Sequence, residues 1–438
     1  MQVTRLEARR APAVEVVRVP PPGLAERRFR RANEQDLERL VEIHLAAYPD
    51  PRSVAARQRN FTHNPFGGLE HLVVVEDAGV IVGHAFLFPF RASFGGAAVK
   101  VGGVASVGVA PEARGRGVAT GLMKYLHQLS SRRGDALTML YAYRYGFYAR
   151  LGYATASSRK RLAFDPRAVP GSWRTLARAR VRGVAPGEDK AVRLLHARVA
   201  ERASGWISRP KRFWEMLFAR ERRQILVCER PGAGPAERLS GYVAFTLVQE
   251  ELHAETSIDV EEIVAEDDET RRALFGGLAA LRDQAAEIIV EVAETDPLER
   301  ALVDPDGRRF GTEAVEHGLG EIVGGPMLRV GDVSRAISSR GYAANGSFDL
   351  VVRPEGPEGD GVRASAIGVR VRDGRAEVGP ARGGGALQTT RAGVAAIFYG
   401  GLSATDAVAL GLAEAEPRIA ARIDAIARMP ALTPIDAF

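Results

Sequence analysis

The segment Val107-Gly108-Val109-Ala110-Pro111-Glu112-Ala113-Arg114-Gly115-Arg116-Gly117-Val118-Ala119-Thr120 constrains this chain more than any other. A β-type run from Ala97 to Ala110 ends at a proline, and a short glycine-rich turn follows. Leu122, Met123, Leu126 and Leu129 then mark an amphipathic helix, which Gly134 ends. The first amides of such a helix have no acceptors within it and carry the positive end of its dipole, so they form an anion site. Gly115 and Gly117 let a phosphate approach the backbone closely, and Arg114 and Arg116 add charge-assisted donors. Pro111 ends the edge pairing of its strand and leaves amides near Val107 and Val109 for an extended ligand. A pyrophosphate with a long amide arm suits this surface. A glycine-rich turn alone is equally a solvated connection; the strand before it and the helix after it favour the cofactor reading.

Around this segment the pattern is α/β. Asn33-Glu34-Gln35-Asp36 opens a helix carrying Leu37, Leu40, Val41, His44 and Leu45, which Pro49 and Pro51 stop. Strands are expected at His71 to Glu76 and Val80 to Phe90, then at Ala136 to Ala142, with a short helix from Gly146 to Leu151. From about residue 170 the same order restarts: helices at Glu188 to Glu201 and around Trp214, strands at Ile225 to Glu229, Leu239 to Val248 and Ile258 to Val264, a helix from Asp268 to Ala285, and a strand from Glu287 to Val292. The expected plan is a Pro- and Arg-rich extension (1–27), two tandem α/β domains of mixed sheets flanked by helices (28–168 and 169–325), and a separate α+β domain (326–438).

At 438 residues the chain is too long for one core, and 46% hydrophobic with 26% charged residues is a globular composition. No window approaches the roughly 20 apolar residues of a membrane span, and the N-terminus lacks a secretory signal. A lone cysteine, Cys228, excludes an intrachain disulfide and fits a cytoplasmic protein. The excess of 60 Lys and Arg over 54 Asp and Glu is mild and spread along the chain, which argues against nucleic acid as a partner. No metal is expected: the eight histidines lack ligand spacing, and Cys228 sits in an apolar strand.

Arg114-x-x-Gly117-x-Ala119 after Val-x-Val-Ala-Pro resembles the acetyl-CoA loop of the GCN5-related N-acetyltransferases. Tyr148-Ala149-Arg150-Leu151-Gly152-Tyr153 resembles a segment of one branch, the enhanced-intracellular-survival (Eis) acetyltransferases. Later landmarks of that branch have counterparts in Pro326 to Val333, Arg340-Gly341-Tyr342 and Phe398-Tyr399-Gly400-Gly401, and its better-known members also end in Phe. The resemblance covers nearly everything after residue 28. It implies a catalytic acetyltransferase domain, a degenerate second one, a C-terminal domain like sterol carrier protein, and a homo-oligomer, commonly a hexamer.

The resemblance also implies direct transfer of acetyl from acetyl-CoA to a primary amine of a small molecule. Tyr148 becomes the general acid for the departing thiolate, and the α-carboxylate of Phe438 the general base. A CoA thiolate, with a thiol pKa of about 8.5, needs such a proton donor. Taken without the family, Tyr148 reads as a core aromatic. Tyr143 and Arg144 fall where the family contacts the cofactor, but it has Ser and an acid there, and an Arg disfavours cationic amines. Asp50 matches an acidic substrate position and reads equally as a turn residue.

At the place of the phosphate turn, the second domain has Ala265-Glu266-Asp267-Asp268-Glu269-Thr270. Four carboxylates and no glycine repel a pyrophosphate, so that domain is expected to be a scaffold. Two other functions stay open: acetylation of a protein lysine or N-terminus, and a lipid-carrying or CoA-sensing scaffold without catalysis.

Overall fold

Asn33 opens the first helix as its sequence predicts. Its side chain accepts from the Gln35 amide (2.9 Å), and Asp36 turns back to accept from the Asn33 amide (2.8 Å), a closed capping box. The computed structural model describes residues 27–49, 53–219, 222–234, 238–249, 251, 254–305, 318–355, 364–383, 385–433, 436 and 438. Apart from Arg27, the N-terminal extension lies outside the described residues, as does Asp50. The chain forms two units, one reaching to residue 88 and including 104–130, the other comprising 89–103 and 131–438.

The first unit contains β1 (Arg28–Arg31), α1 (Leu37–Ala47), α2 (Val54–Thr62), β2 (Leu72–Asp77) and the greater parts of β3 (Val80–Phe94) and α3 (Val118–Arg133). It also holds the end of β4 (Ala97–Val109). β1, β2 and β3 pair antiparallel, with Phe29 opposite Val75 and Val74 opposite His84. Leu72 to Val75 are all buried, which is why they read as a continuous apolar run rather than an alternating one. α2 has no apolar stripe; it starts on a Ser53 cap and buries only Arg57 and Phe61.

The second unit holds the rest of β3, β4 and α3, followed by β5 (Leu137–Leu140), α4 (Tyr145–Ala149), β6 (Ala154–Thr155) and β7 (Ser158–Phe164). Next come α5 (Gly171–Arg180), β8 (Val181–Gly183), α6 (Asp189–Arg202), α7 (Lys211–Ala219), β9 (Arg223–Glu229), β10 (Leu239–Gln249), β11 (Thr256–Ala265), α8 (Asp268–Leu278) and β12 (Glu287–Ala293). β13 (Gly320–Gly324) and β14 (Met327–Val330) precede the C-terminal region. That region comprises α9 (Val333–Ser339), β15 (Gly346–Arg353), β16 (Ser365–Arg372), β17 (Arg375–Pro380), β18 (Ala386–Thr390), α10 (Arg391–Phe398), α11 (Ala404–Ala409), β19 (Ala413–Glu414) and α12 (Pro417–Ala427).

Residues 101–103 of β4 run parallel to β5, which pairs antiparallel with β14, which in turn pairs with β6. A second mixed sheet runs β13-β7-β12-β11-β10-β9-β8, parallel only between β11 and β12. Leu162, Phe164, Phe245, Ile258, Leu274 and Phe275 fill its core on the α8 side. Val192, Leu195, Trp206, Trp214 and Tyr242 form a separate cluster with α6 and α7. The C-terminal region builds a third sheet, β17-β16-β15-β18-β19.

Strand pairing crosses the segment limits expected at 168 and 325. β7 pairs with β12 and β13 in the second sheet, and β14 returns to β5 and β6. The helix expected from Asp268 to Ala285 ends as an α-helix at Leu278 and tightens into a 3₁₀ turn at Ala279–Leu281.

Candidate active site

β4 ends at Val109, a 3₁₀ turn covers Pro111–Ala113, and α3 begins at Val118. The Ala110 amide donates to the Val82 carbonyl (2.9 Å), so the chain stays bonded to β3 up to the start of the turn. Between the two elements Gly115 and Gly117 both adopt left-handed backbone, φ +73° and +74°. Side-chain residues pay about 1–2 kcal/mol there, and glycine does not. No heavy atom lies within 4 Å of where a Cβ would stand on either glycine. The Gly121 amide bonds back to the Gly117 carbonyl (3.0 Å), which leaves the amides of Val118, Ala119 and Thr120 without helical acceptors. A 16-residue helix behind them supplies a full dipole. This arrangement fits a pyrophosphate.

The two arginines of the turn do different work. Arg114 Nη2 donates to the Ala46 carbonyl (2.9 Å) at the end of α1, and its Nε to the Val109 carbonyl (3.4 Å). Its guanidinium thereby ties the turn to α1 and to the end of β4. Arg116 is half exposed, with Asp77 at 3.9 Å, and its carbonyl accepts from Arg27 Nη2 (2.9 Å).

Along β4, the Val107 carbonyl accepts from the Tyr48 hydroxyl (3.0 Å). Ser106 stands at φ +49°, an uncommon conformation for a residue with a side chain, and re-aims the strand just before Val107. Nothing in the apolar run 97–110 singles it out. A Cβ on Gly108 would lie 2.6 Å from His84 Nε2, so this glycine is fixed by close approach. His84 is fully buried, and burial together with neighbouring His44 pushes its pKa down to about 3. The imidazole is a neutral part of the packing beneath β4.

In the other unit, the loop after β5 carries Tyr143, 80% exposed, and Arg144, also exposed, immediately before α4. Tyr148 on α4 is 4% exposed, edge-on to Phe147 (4.9 Å) and Tyr153 (5.9 Å). Its carbonyl accepts from the amides of Leu151 (2.9 Å) and Tyr153 (3.2 Å), closing the helix over the following turn. Phe438 rests edge-on against Phe90 (4.8 Å) and Tyr141 (5.7 Å). Neither partner ring is marked by any local pattern in the sequence.

The acidic counterpart turn of the second sheet has a more specific explanation than repulsion. Asp267 caps α8, its carboxylate accepting from the Thr270 amide (2.7 Å), so the helix end already holds an anion of its own. Hydrogen bonds to Thr270, working against burial, hold the Asp267 carboxyl below its ordinary range. Glu266 pairs with Arg198 (2.7 Å) and Arg230, and Glu269 with Arg180 (2.8 Å), so much of the negative charge is neutralised. Cys228 is buried and burial raises its thiol pKa, which leaves it a small apolar residue rather than a nucleophile. Among the described residues no group of His, Cys, Asp or Glu could hold a metal ion. No helix among them is long and apolar enough to cross a membrane.

Residues 28–156 match an acetyltransferase (GNAT) domain family, and residues 205–330 match a second one of the same description. The chain belongs to the GNAT acetyltransferases, acyltransferases that take the acetyl group from acetyl-CoA, and carries two such domains in tandem. Within that class it is homologous to the Eis N-acetyltransferases. It is 27% identical to N-acetyltransferase Eis of Mycobacterium tuberculosis and to that of Mycobacterium bovis over 372 residues, 81% of this chain and 85% of each relative. In fold it is similar to a GCN5-related N-acetyltransferase of Anabaena variabilis, with a TM-score of 0.78 at 18% identity, covering 94% of this chain and 100% of that one. Eis1 of Mycobacterium abscessus has a TM-score of 0.70 at 20% identity, with the same coverage.

Proposed function

We propose that this enzyme transfers acetyl directly from acetyl-CoA to a primary amine of a small molecule, with Tyr148 as general acid and the Phe438 α-carboxylate as general base. The observation that carries the reading is the seat of Phe438. A chain end is ordinarily frayed and solvated, yet this ring is packed between Phe90 and Tyr141. Val107, Gly108 and Val109 offer the strand edge, and Gly115, Gly117, Val118, Ala119 and Thr120 the phosphate cradle. Arg114 braces that cradle, Arg116 supplies rim charge, and Tyr143 and Arg144 border the cofactor. Asp50 is the acidic contact proposed for the acceptor amine.

In the step itself, the uncharged amine nitrogen attacks the acetyl carbonyl carbon; a C–N bond forms and the C–S bond breaks. The Tyr148 hydroxyl gives its proton to the departing sulfur, and the Phe438 carboxylate takes the proton shed by the amine. Release of that proton to solvent and uptake of one at Tyr148 reset both groups. The second domain, 169–325, serves as scaffold; 326–438 is a sterol-carrier-like domain; the assembly is a cytoplasmic homo-oligomer, a hexamer by resemblance.

Thiol release from acetyl-CoA across an amine panel, with mass analysis of the product, tests the reading. Turnover on no amine, or turnover untouched by both Tyr148→Phe and removal of Phe438, would sink it. A second reading, acetylation of a protein lysine or N-terminus, is favoured by the exposed Tyr143 and Arg144, which suit a broad acceptor surface. Peptide mass spectrometry after incubation with candidate proteins separates the two.

A further inference from the structure

Arg209, in the connection between α6 and α7, is a buried cation with two buried carboxylates. Its Nε donates to Asp436 Oδ1 (2.7 Å) and its Nη1 to Glu262 Oε1 (3.2 Å), with a second bond from Nη2 to Glu262 Oε2. The three side chains are 1%, 2% and 4% exposed, in the order Arg209, Asp436, Glu262. The guanidinium lies over the rings of Phe213 (4.3 Å) and Trp214 (5.0 Å), and Glu262 also accepts from the Tyr242 hydroxyl (2.7 Å). Arg209 and Glu262 are therefore fixed by the second sheet and its helices whether or not Asp436 is present. Asp436 is the partner that comes from outside that sheet and its helices.

Leu432 and Thr433 lie along the segment 204–209. Ser204 bridges in parallel to Leu432, the Thr433 amide donates to the Ser204 carbonyl (3.2 Å), and Trp206 Nε1 donates to Thr433 Oγ1 (3.3 Å). The same segment pairs on its other side with residues 91–93, through Ser93 N to Trp206 O (3.0 Å) and Ser208 N to Arg91 O (2.7 Å). Backbone bonds of this kind tolerate slippage, because every residue offers the same groups. The Arg209–Asp436 pair does not, because a buried carboxylate away from its cation is strongly disfavoured. Two residues of chain span at most about 7 Å, so anchoring Asp436 confines Phe438 to a small region. The Tyr141 hydroxyl, donating to the Asp436 carbonyl (3.2 Å), narrows it further.

We propose that Arg209, a residue of the second acetyltransferase domain, is a positioning residue for acetyl transfer: its ion pair with Asp436 sets the register of the chain's last residues and so places Phe438. The effect on turnover rests on the reading of Phe438 as general base. The placement itself does not.

The test uses the 438-residue chain with Asp436→Ala, which leaves the Arg209–Glu262 pair intact, together with Arg209→Gln and the conservative Asp436→Asn. Two readouts are taken: the rate at which carboxypeptidase releases Phe438 from the folded protein, and kcat and KM for acetyl-CoA and an amine. Asp436→Ala and Arg209→Gln are expected to release Phe438 at least tenfold faster. They should lower kcat roughly tenfold or more while KM for acetyl-CoA stays within about twofold. Asp436→Asn, which can still accept from Arg209 Nε, recovers much of the loss. In a chain lacking Phe438, adding Asp436→Ala causes no further fall in kcat. Unchanged release of Phe438 overturns the proposal, as does an Asp436→Ala effect that multiplies with the deletion. If deleting Phe438 leaves kcat intact, the base assignment fails, and the carboxypeptidase rates still decide the placement.

Discussion

Gly117→Ala separates a phosphate cradle from a solvated turn, because the structure splits the consequence into two independent quantities. The first is strain. At φ +74° an alanine costs about 1–2 kcal/mol, and since no atom lies within 4 Å of the new methyl there is no clash to add. For a domain of ordinary size that lowers Tm by a few degrees, about 2–4 °C per kcal/mol. The second is affinity. The methyl occupies space a phosphate oxygen must cross to reach the α3 amides at about 2.9 Å, a distance at which carbon cannot intervene. Acetyl-CoA at about 100 times its Kd stabilises the folded protein by roughly 2.7 kcal/mol, and a tenfold weaker Kd at the same concentration leaves roughly 1.4 kcal/mol. Calorimetric titration should give that tenfold rise in Kd, and thermal unfolding with and without acetyl-CoA should show the ligand-induced shift about halved. A Tm loss with Kd unchanged within twofold would refute the cradle and return the turn to a solvated strand-to-helix connection.

Tyr148→Phe keeps the ring that packs against Phe147 and Tyr153 and removes the hydroxyl proposed as the proton donor. It should lower kcat by roughly a hundredfold with acetyl-CoA binding unchanged, as read by single-turnover kinetics and titration. Asp267→Ala removes the α8 cap and should destabilise the second sheet's domain by about 1 kcal/mol in denaturant unfolding without creating a second acetyl-CoA site by titration. Glu188 accepts a bidentate pair from Arg182 (2.7 and 2.8 Å) and the Ala185 amide (2.7 Å), and the Arg182 bonds hold its pKa down to about 2. A depressed carboxyl contributes stability above its unfolded pKa of about 4.5 and loses it as pH falls toward 2. Glu188→Gln should therefore cost about 1–2 kcal/mol at pH 7, discounted for partial exposure, and the difference from the parent should close between pH 4.5 and 2.

Where the chemistry is written locally, the sequence carries it. The Asn33 capping box, the buried run of β2 and the strand–turn–helix ending in α3 each depend on residues a few positions apart, and each forms where the pattern places it. Long-range pairing leaves no such trace. The polar Ser158–Phe164 stretch becomes an internal strand only because β12 and β13 flank it, and Met327–Val330 joins β5 and β6 from far along the chain. Side-chain direction is equally hidden: nothing in the turn's own sequence shows that Arg114 reaches back to the end of α1. No local pattern marks Arg209, Glu262 or Asp436. Only a fold that brings residues 227 positions apart together makes them a buried cluster.

The two tandem domains differ in how they satisfy the start of one helix. In the first, a glycine precedes the helix and its amides are left for an external anion; in the second, Asp267 supplies the anion from within. Charge repulsion is the weaker part of that contrast, because Arg180, Arg198 and Arg230 already pair with Glu269 and Glu266. Opening a cofactor site there would require removing the cap as well as those pairs. The same sheet holds Glu262 and Tyr242 on adjacent strands, and these fix Arg209 against Asp436. Under the role proposed for Phe438, a domain whose helix start is already capped bears on transfer through where it puts that residue rather than through any cofactor it binds.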